Sequence, residues 1–375
     1  DSMTTFNMGQ VPPMTLGAGR RLKLPDLFNN LGGGPVLLIA DAVLVDLGVT
    51  DQLADQMSES GLPVDVAAEV SGEPKEALVD ALCRPARQTG AKVVVGLGGG
   101  AAMDAAKLVA AIAPCNLPAH TFVLAAQPLP KNGLPAIAIP TTAGPGSEVT
   151  RTSVISTSDG SKIWFWGEEV MFSQAILDPE LTLSLPSHLT AWTGIDAVAH
   201  ALEVSTAKNT SPAGLLYGLE AMRILADALP RAVSDGADIE LRSKVLWGSM
   251  VAGLALHNCN THMGHNISHA LGSLARVHHG LATGLALENC LPWLVSKQEG
   301  HAHYARAAEA LGGAAQAEEL PEAFSDLMRR CDIAAELPSG CESVTAANLS
   351  AEMQNAANIG MARNAIYDIT EADFF

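Results

Sequence analysis

Lys92-Val93-Val94-Val95-Gly96-Leu97-Gly98-Gly99-Gly100-Ala101-Ala102-Met103-Asp104-Ala105-Ala106-Lys107 runs from valines, through three successive glycines, into an alanine-rich stretch. A short apolar run bounded by glycine reads as a strand covered on both faces, as in parallel sheets. The alanines that follow favour helix. Residues without Cβ let a backbone approach a ligand closely. The helix start behind them offers free N–H groups and a partial positive charge to a pyrophosphate. A tight strand-to-helix turn with no ligand is the competing reading, and the glycines alone leave both open.

The same texture extends outward. Val36 to Ala40 and Ala136 to Pro140 are further strand-like runs bounded by Gly, Pro or Asp. From Pro186 the pattern changes to long Ala/Leu/Met-rich stretches of helical period, including Pro212 to Leu229 and Glu240 to Leu256. Leu185-Pro186-Ser187 marks the joint, since Pro and Ser signal a stop and a helix start. The expected fold is therefore an α/β domain over 1–184, built on a parallel sheet with a turn suited to a dinucleotide, followed by an all-α domain over 185–375. The glycine spacing is not G-x-G-x-x-G. An acidic residue suited to a ribose hydroxyl, Asp41, precedes the glycines instead of following them, so the strand order should differ from the standard Rossmann arrangement. A second loop, Pro140-Thr141-Thr142-Ala143-Gly144-Pro145-Gly146-Ser147-Glu148, again follows a strand. Two such loops at strand ends suit a dinucleotide better than one.

Bulk properties narrow the class. The chain has 375 residues, 48% hydrophobic and 17% charged, which suits two packed domains and argues against disorder. Its net charge of -18 gives no basic footprint for nucleic acid, and no apolar run reaches the ~18 residues of a membrane span. The six cysteines are scattered without C-x-x-C spacing, so reduced thiols in a cytoplasmic protein are expected. Asp1-Ser2 ahead of Met3 reads as added residues and carries no weight.

Gly194-Ile195-Asp196-Ala197-Val198-Ala199-His200 sets a carboxylate and an imidazole at i and i+4, on one face of an apolar helix. Six of the eleven histidines, His257, His262, His265, His269, His278 and His279, crowd into one later stretch. A lone histidine on an apolar helix is more often a satisfied core residue. A buried Asp196 is costly, however, unless a cation or hydrogen bonds compensate it, and a divalent metal does both. One carboxylate with imidazoles suits Fe2+ or Zn2+ over Mg2+ or Ca2+.

Together these segments resemble the iron-containing, or group III, alcohol dehydrogenases over nearly the whole chain. Gly98 to Lys107 looks like the family's GGGSxxDxAK, Pro140 to Glu148 like PTTAGTGSE, and Ala175 to Leu181 like AILDPEL. Gly194 to His200 resembles G-x-D-A-x-x-H, and His265 to Gly272 with His279-Gly280 resembles H-x-x-A-H-x-L-G and a later P-H-G. The resemblance implies metal ligation by Asp196, His200, His265 and His279, with Fe2+ or alternatively Zn2+. It makes His269 a nearby proton carrier, a role for which imidazole is suited. It also implies NAD in a cleft between the domains, bound by Asp41, Gly98, Gly99, Gly100, Thr141, Thr142 and Lys162, with Asp104 and Ser147 from the two matched loops. The Asp41 carboxylate would repel a 2′-phosphate and so favour NAD over NADP. The implied enzyme transfers hydride between nicotinamide and a small alcohol or aldehyde bound to the metal, as a homodimer. A dehydroquinate-synthase-like lyase that uses NAD is the alternative, but its Glu-based metal site and basic substrate pocket are not visible.

Several residues depart from the family pattern or stand outside it. Ala101 replaces a serine, Pro145 a threonine and His278 a proline, the last raising a rival to His279 for the metal. Lys162-Ile163-Trp164-Phe165-Trp166-Gly167 is unusually aromatic, read either as packing or as shaping a pocket. Arg151 either pairs with a structural carboxylate or selects an anionic substrate, and His257 with Asn258 is a candidate pocket lining.

Overall fold

The computed structural model describes residues 5–374; the Asp1-Ser2 pair lies outside that range, with Met3, Thr4 and Phe375. The chain forms two compact units. One comprises Pro12–Thr142 and Ser147–Leu183; the other comprises Ser184 onward, Ala143–Gly146 and the described residues up to Val11.

The first unit is built on a six-stranded, all-parallel sheet. Its strands are β1 (Met14–Leu16), β2 (Val36–Asp41), β3 (Val64–Val70), β4 (Val93–Gly98), β5 (Ala136–Pro140) and β8 (Gln174–Leu177). The order across the sheet is β1-β8-β5-β4-β2-β3, which differs from the standard Rossmann order, as the position of Asp41 predicts. Strands β6 (Thr152–Ser156) and β7 (Lys162–Trp166) pair antiparallel as a separate hairpin, so the aromatic run is a strand. The helices are α1 (Leu24–Phe28), α2 (Val43–Asp46), α3 (Val49–Glu59), α4 (Glu76–Gln88) and α5 (Gly100–Ile112).

Strand side chains alternate between faces, and the two cores follow that alternation. Leu37, Ile39, Val94, Ala136 and Ala138 join one buried cluster with α4 and α5. Val36, Leu38, Ala40, Val93, Val95, Leu97, Ile137 and Ile139 join the other with α1 and α3. Covering both faces is what permits continuous apolar strands. In the aromatic run Ile163 and Phe165 enter the first cluster, while Trp166 is exposed.

The second unit is helical: α6 (Ser187–Ser205), α7 (Pro212–Ser234), α8 (Ile239–Asn258), α9 (Met263–Leu274), α10 (His279–Ser296), α11 (His301–Ala310), α12 (Leu320–Arg330), α13 (Ala346–Met353) and α14 (Ile359–Ala362). From Gly194 to Ser205, α6 is buried on every side, the mark of a central helix. Its Asp196, His200 and Glu203 are therefore all held away from water. No helix among the described residues is long and apolar enough to cross a membrane.

Candidate functional site

The glycine turn sits where the sheet order reverses. From β2 the chain moves outward to β3 and then returns to β4 on the other side of β2. The crevice at the carboxyl ends of β2 and β4 is thus a topological switch point, where open α/β sheets bind ligands. Asp41 ends β2 and Gly98 ends β4. Gly99 N–H donates to Asp41 Oδ2 at 2.6 Å, and Thr141 N–H donates to Gly98 O at 2.9 Å. Gly98 has φ +146, and a Cβ there would lie 2.3 Å from Asp41 Oδ2, so both backbone shape and close approach require glycine. Burial pushes the Asp41 carboxyl above its usual range, and the Gly99 N–H partly offsets this. No side chain caps the start of α5, and its first turn has no acidic residue. An uncapped, thirteen-residue helix pointing at a glycine turn is suited to a phosphate.

Three other residues expected at the cofactor have partners of their own. Ser147 Oγ donates to Asp104 Oδ1, and Val154 N–H donates to Asp104 Oδ2 at 2.9 Å. The buried Lys107 ammonium donates to Ser147 O at 2.9 Å and stands 3.6 Å from Asp104 Oδ1. Asp104 and Ser147 therefore tie α5 to the segment entering β6. Lys162 is paired with Glu73 at 2.9 Å. Thr142, in contrast, stands beside Gly99: a Cβ on that glycine would meet Thr142 Oγ1 at 3.4 Å. The expected structural partner of Arg151 is not found: the residue is exposed, and no carboxylate pairs with it among the described residues.

In the helical unit, side chains from three helices converge on Asp196. Its Oδ1 lies 3.5 Å from His265 Nε2 on α9, 3.4 Å from His279 Nε2 on α10 and 4.0 Å from His200 Nε2 one turn along α6. Asp196, His265 and His279 can each present a ligand atom within 4.8 Å of the others. His200 stacks on His265 with ring centroids 4.5 Å apart. Asp196 Oδ1 and His265 Nε2 are buried without a hydrogen-bond partner. Two orphaned polar atoms aimed at each other suit a cation between them, so the residues fit a divalent metal. Burial raises the Asp196 carboxyl, but His200, His279 and His265 outweigh it and hold that carboxyl far below its usual range. Burial drives His200 down to about 4 against the pull of Asp196. On His265 burial also acts downward, yet the Glu203 and Asp196 carboxylates overcome it and raise the imidazole to about 9.

The neighbouring histidines sort themselves by their partners. His262 Nε2 meets Thr206 Oγ1 at 2.9 Å, and its Nδ1 lies 3.3 Å from Glu203 Oε1. His278 Nδ1 accepts from Gly280 N–H at 3.2 Å, capping α10, so the residue that departs from the family's proline serves as a helix cap. His269 stands edge-on to His279, with centroids 5.1 Å apart. The candidate pocket lining at α8 is covered instead: Asn258 Oδ1 accepts from Gly9 N–H at 3.1 Å, and a Cβ on Gly9 would fall 1.9 Å from His257 Nε2. Sequence reasoning missed Glu203, which contacts the His265 ring at Nδ1. Its signal was the 196, 200, 203 spacing along one face of α6.

Comparison with known proteins bears on both units. Residues 12–179 match the model of the iron-containing alcohol dehydrogenase family, and 190–365 match the model of that family's C-terminal region. The chain is 35% identical over 279 residues to long-chain-alcohol dehydrogenase 1 of Geobacillus thermodenitrificans, covering 74% of this chain and 70% of that one. It is 30% identical over 298 residues to the NAD-dependent methanol dehydrogenase of Bacillus methanolicus, covering 79% and 78%. The crystal structure of sulfoacetaldehyde reductase from Bifidobacterium kashiwanohense in complex with NAD+ is similar at a TM-score of 0.88 and 28% identity, covering 99% and 97%. The dehydroquinate-synthase-like alternative fits these matches less well. With a switch-point turn in one unit and a carboxylate–imidazole cluster in the other, the chain belongs to the iron-containing alcohol dehydrogenase family, whose members are NAD-dependent oxidoreductases acting on CH–OH groups.

Proposed function

We propose that this protein interconverts small alcohols and aldehydes with NAD(H), using a metal held by Asp196, His200, His265 and His279. The observation that carries the reading is the buried convergence on Asp196 Oδ1, left without a hydrogen bond amid three imidazoles. Fe2+, or Zn2+ in its stead, would supply Lewis acidity toward the substrate oxygen, and nicotinamide the hydride acceptor or donor. The Asp196 carboxylate offsets positive charge at that position, and the apolar surroundings of α6 exclude water. His269, beside the ligand His279, is the proton carrier through its imidazole.

In the α/β unit Gly98, Gly99, Gly100, Thr141 and Thr142 form the dinucleotide cradle, with Asp41 directing preference to NAD. Asp104 and Ser147 act on the cofactor by shaping that loop, and Lys162, paired with Glu73, is a further cofactor contact in this reading. Work divides at residues 184 and 185, cofactor before and metal after. A cytoplasmic homodimer is part of this reading, and six cysteines that are all free thiols support its reducing compartment. An anionic aldehyde is a second reading of the substrate, favoured by the exposed Arg151 guanidinium, which has no carboxylate partner among the described residues.

The test is anaerobic reconstitution with Fe2+ or Zn2+, followed by NADH titration and a spectrophotometric screen of short alcohols, diols, hydroxy acids and aldehydes. Metal-dependent turnover of at least one is expected. Absence of both NADH binding and turnover with either metal overturns the reading.

A further inference from the structure

Glu203 lies on α6, seven residues after Asp196 and three after His200, and it is completely buried. A buried carboxylate is stable only if its charge and lone pairs are met. Among the described residues, all the donors that meet it come from the start of α9. Oε1 accepts from Gly264 N–H at 2.5 Å and faces His262 Nδ1 at 3.3 Å. Oε2 accepts from His265 N–H at 3.2 Å and contacts His265 Nδ1.

Helix α9 has His262 at its N-cap and no capping hydrogen bond from that side chain. Gly264 and His265 occupy the second and third helical positions, whose N–H groups a capping side chain ordinarily satisfies. The cap of α9 is thus delivered by another helix. With His265 Nδ1 donating to the same carboxylate, Nε2 is the nitrogen left to face Asp196 and to offer its lone pair to a metal. His262 closes the circuit, since its Nε2 meets Thr206 Oγ1 immediately after α6 ends.

We propose that Glu203 is a positioning residue that presets His265 as an Nε2 ligand, fixing α9 against the Asp196–His200 pair on its own helix. The inference rests on the metal reading above. Only a carboxylate can do this, because both oxygens must accept. A glutamine in either orientation turns its NH2 group toward a backbone N–H, that of Gly264 or that of His265. The role is therefore encoded by charge and not by size, which makes Glu203→Gln the informative variant.

The experiment strips the full-length protein of metal and titrates it with Co2+, following visible absorption and chelator competition for the native chain and Glu203→Gln. The variant is expected to bind Co2+ about 10- to 100-fold more weakly, with an altered visible spectrum, while its far-ultraviolet circular dichroism is unchanged. Equal affinity and an identical spectrum overturn the proposal and leave the metal reading intact. If the native chain takes up no Co2+, the metal reading falls and this inference with it. Should the variant fail to fold, nitrogen-15 NMR of the native, Zn2+-loaded protein decides. A proton on His265 Nδ1 supports the proposal, and a proton on Nε2 overturns it.

Discussion

The two glycine-bearing loops look alike as sequence and have different reasons for their glycines. At Gly98 the constraint is local to the switch point: a φ of +146 and the Asp41 carboxylate leave no room for Cβ. At Gly144 the constraint is packing on a helix, because a Cβ there would lie 2.3 Å from the carbonyl oxygen of Thr193 on α6. Gly146 repeats the pattern, with a would-be Cβ 2.7 Å from Gly253 Cα on α8. The first loop uses glycine to expose backbone beside an acid, the second to seat backbone against helices. A glycine motif therefore acquires its meaning from what a side chain would strike.

The largest effect that would break this comparison is expected at Gly144→Ala. Its Cβ meets fixed backbone, so overpacking should cost about 3 kcal/mol and lower the melting temperature clearly, read by calorimetry. An unchanged melting temperature would put the glycine requirement elsewhere. Gly98→Ala comes next at about 2 kcal/mol, from unfavourable φ and displacement of Asp41. Asp41 can swing aside but the Ala102 Cβ, 2.8 Å from the added atom, cannot, so this variant should lose NADH affinity as well as stability, as NADH fluorescence titration and calorimetry would show. Asp41→Asn keeps an acceptor for Gly99 N–H but removes the charge. We expect the preference for NAD over NADP to narrow about tenfold, measured as a kcat/KM ratio, with little change in melting temperature. The smallest effect is Ala101→Ser, which restores a hydroxyl at the start of α5. It should tighten NADH binding by about 0.5 kcal/mol, and a weakening would show that the first loop is no phosphate cradle.

Much of the fold was legible because burial leaves a periodic record. Valines at 93–95 and the apolar run at 36–40 announced strands covered on both faces, and α6 read as helix because Asp196 and His200 share a face one turn apart. The histidine crowd was less legible. Spacing could not say that His262 belongs to Thr206 and Glu203, or that His278 caps α10, since those partners are fixed by helices meeting in space. Spacing likewise could not say that Asp104 on α5 and Ser147 in the second loop hydrogen-bond each other. Nor could spacing decide whether Arg151 is paired or free; among the described residues no acid reaches it.

Sequence by itself determined the element types, the two contrasting textures of the chain, and the chemical inventory of a carboxylate with imidazoles, because side-chain period and composition are local properties. Only the tertiary structure decided which glycine faces Asp41 and which faces Thr193. It also decided which imidazole nitrogens remain unsatisfied and why Glu203 belongs to His265. Those outcomes depend on strand order and helix packing, which bring together residues far apart in the chain, 58 positions for Asp41 and Gly99 and 62 for Glu203 and His265, and leave no periodic trace.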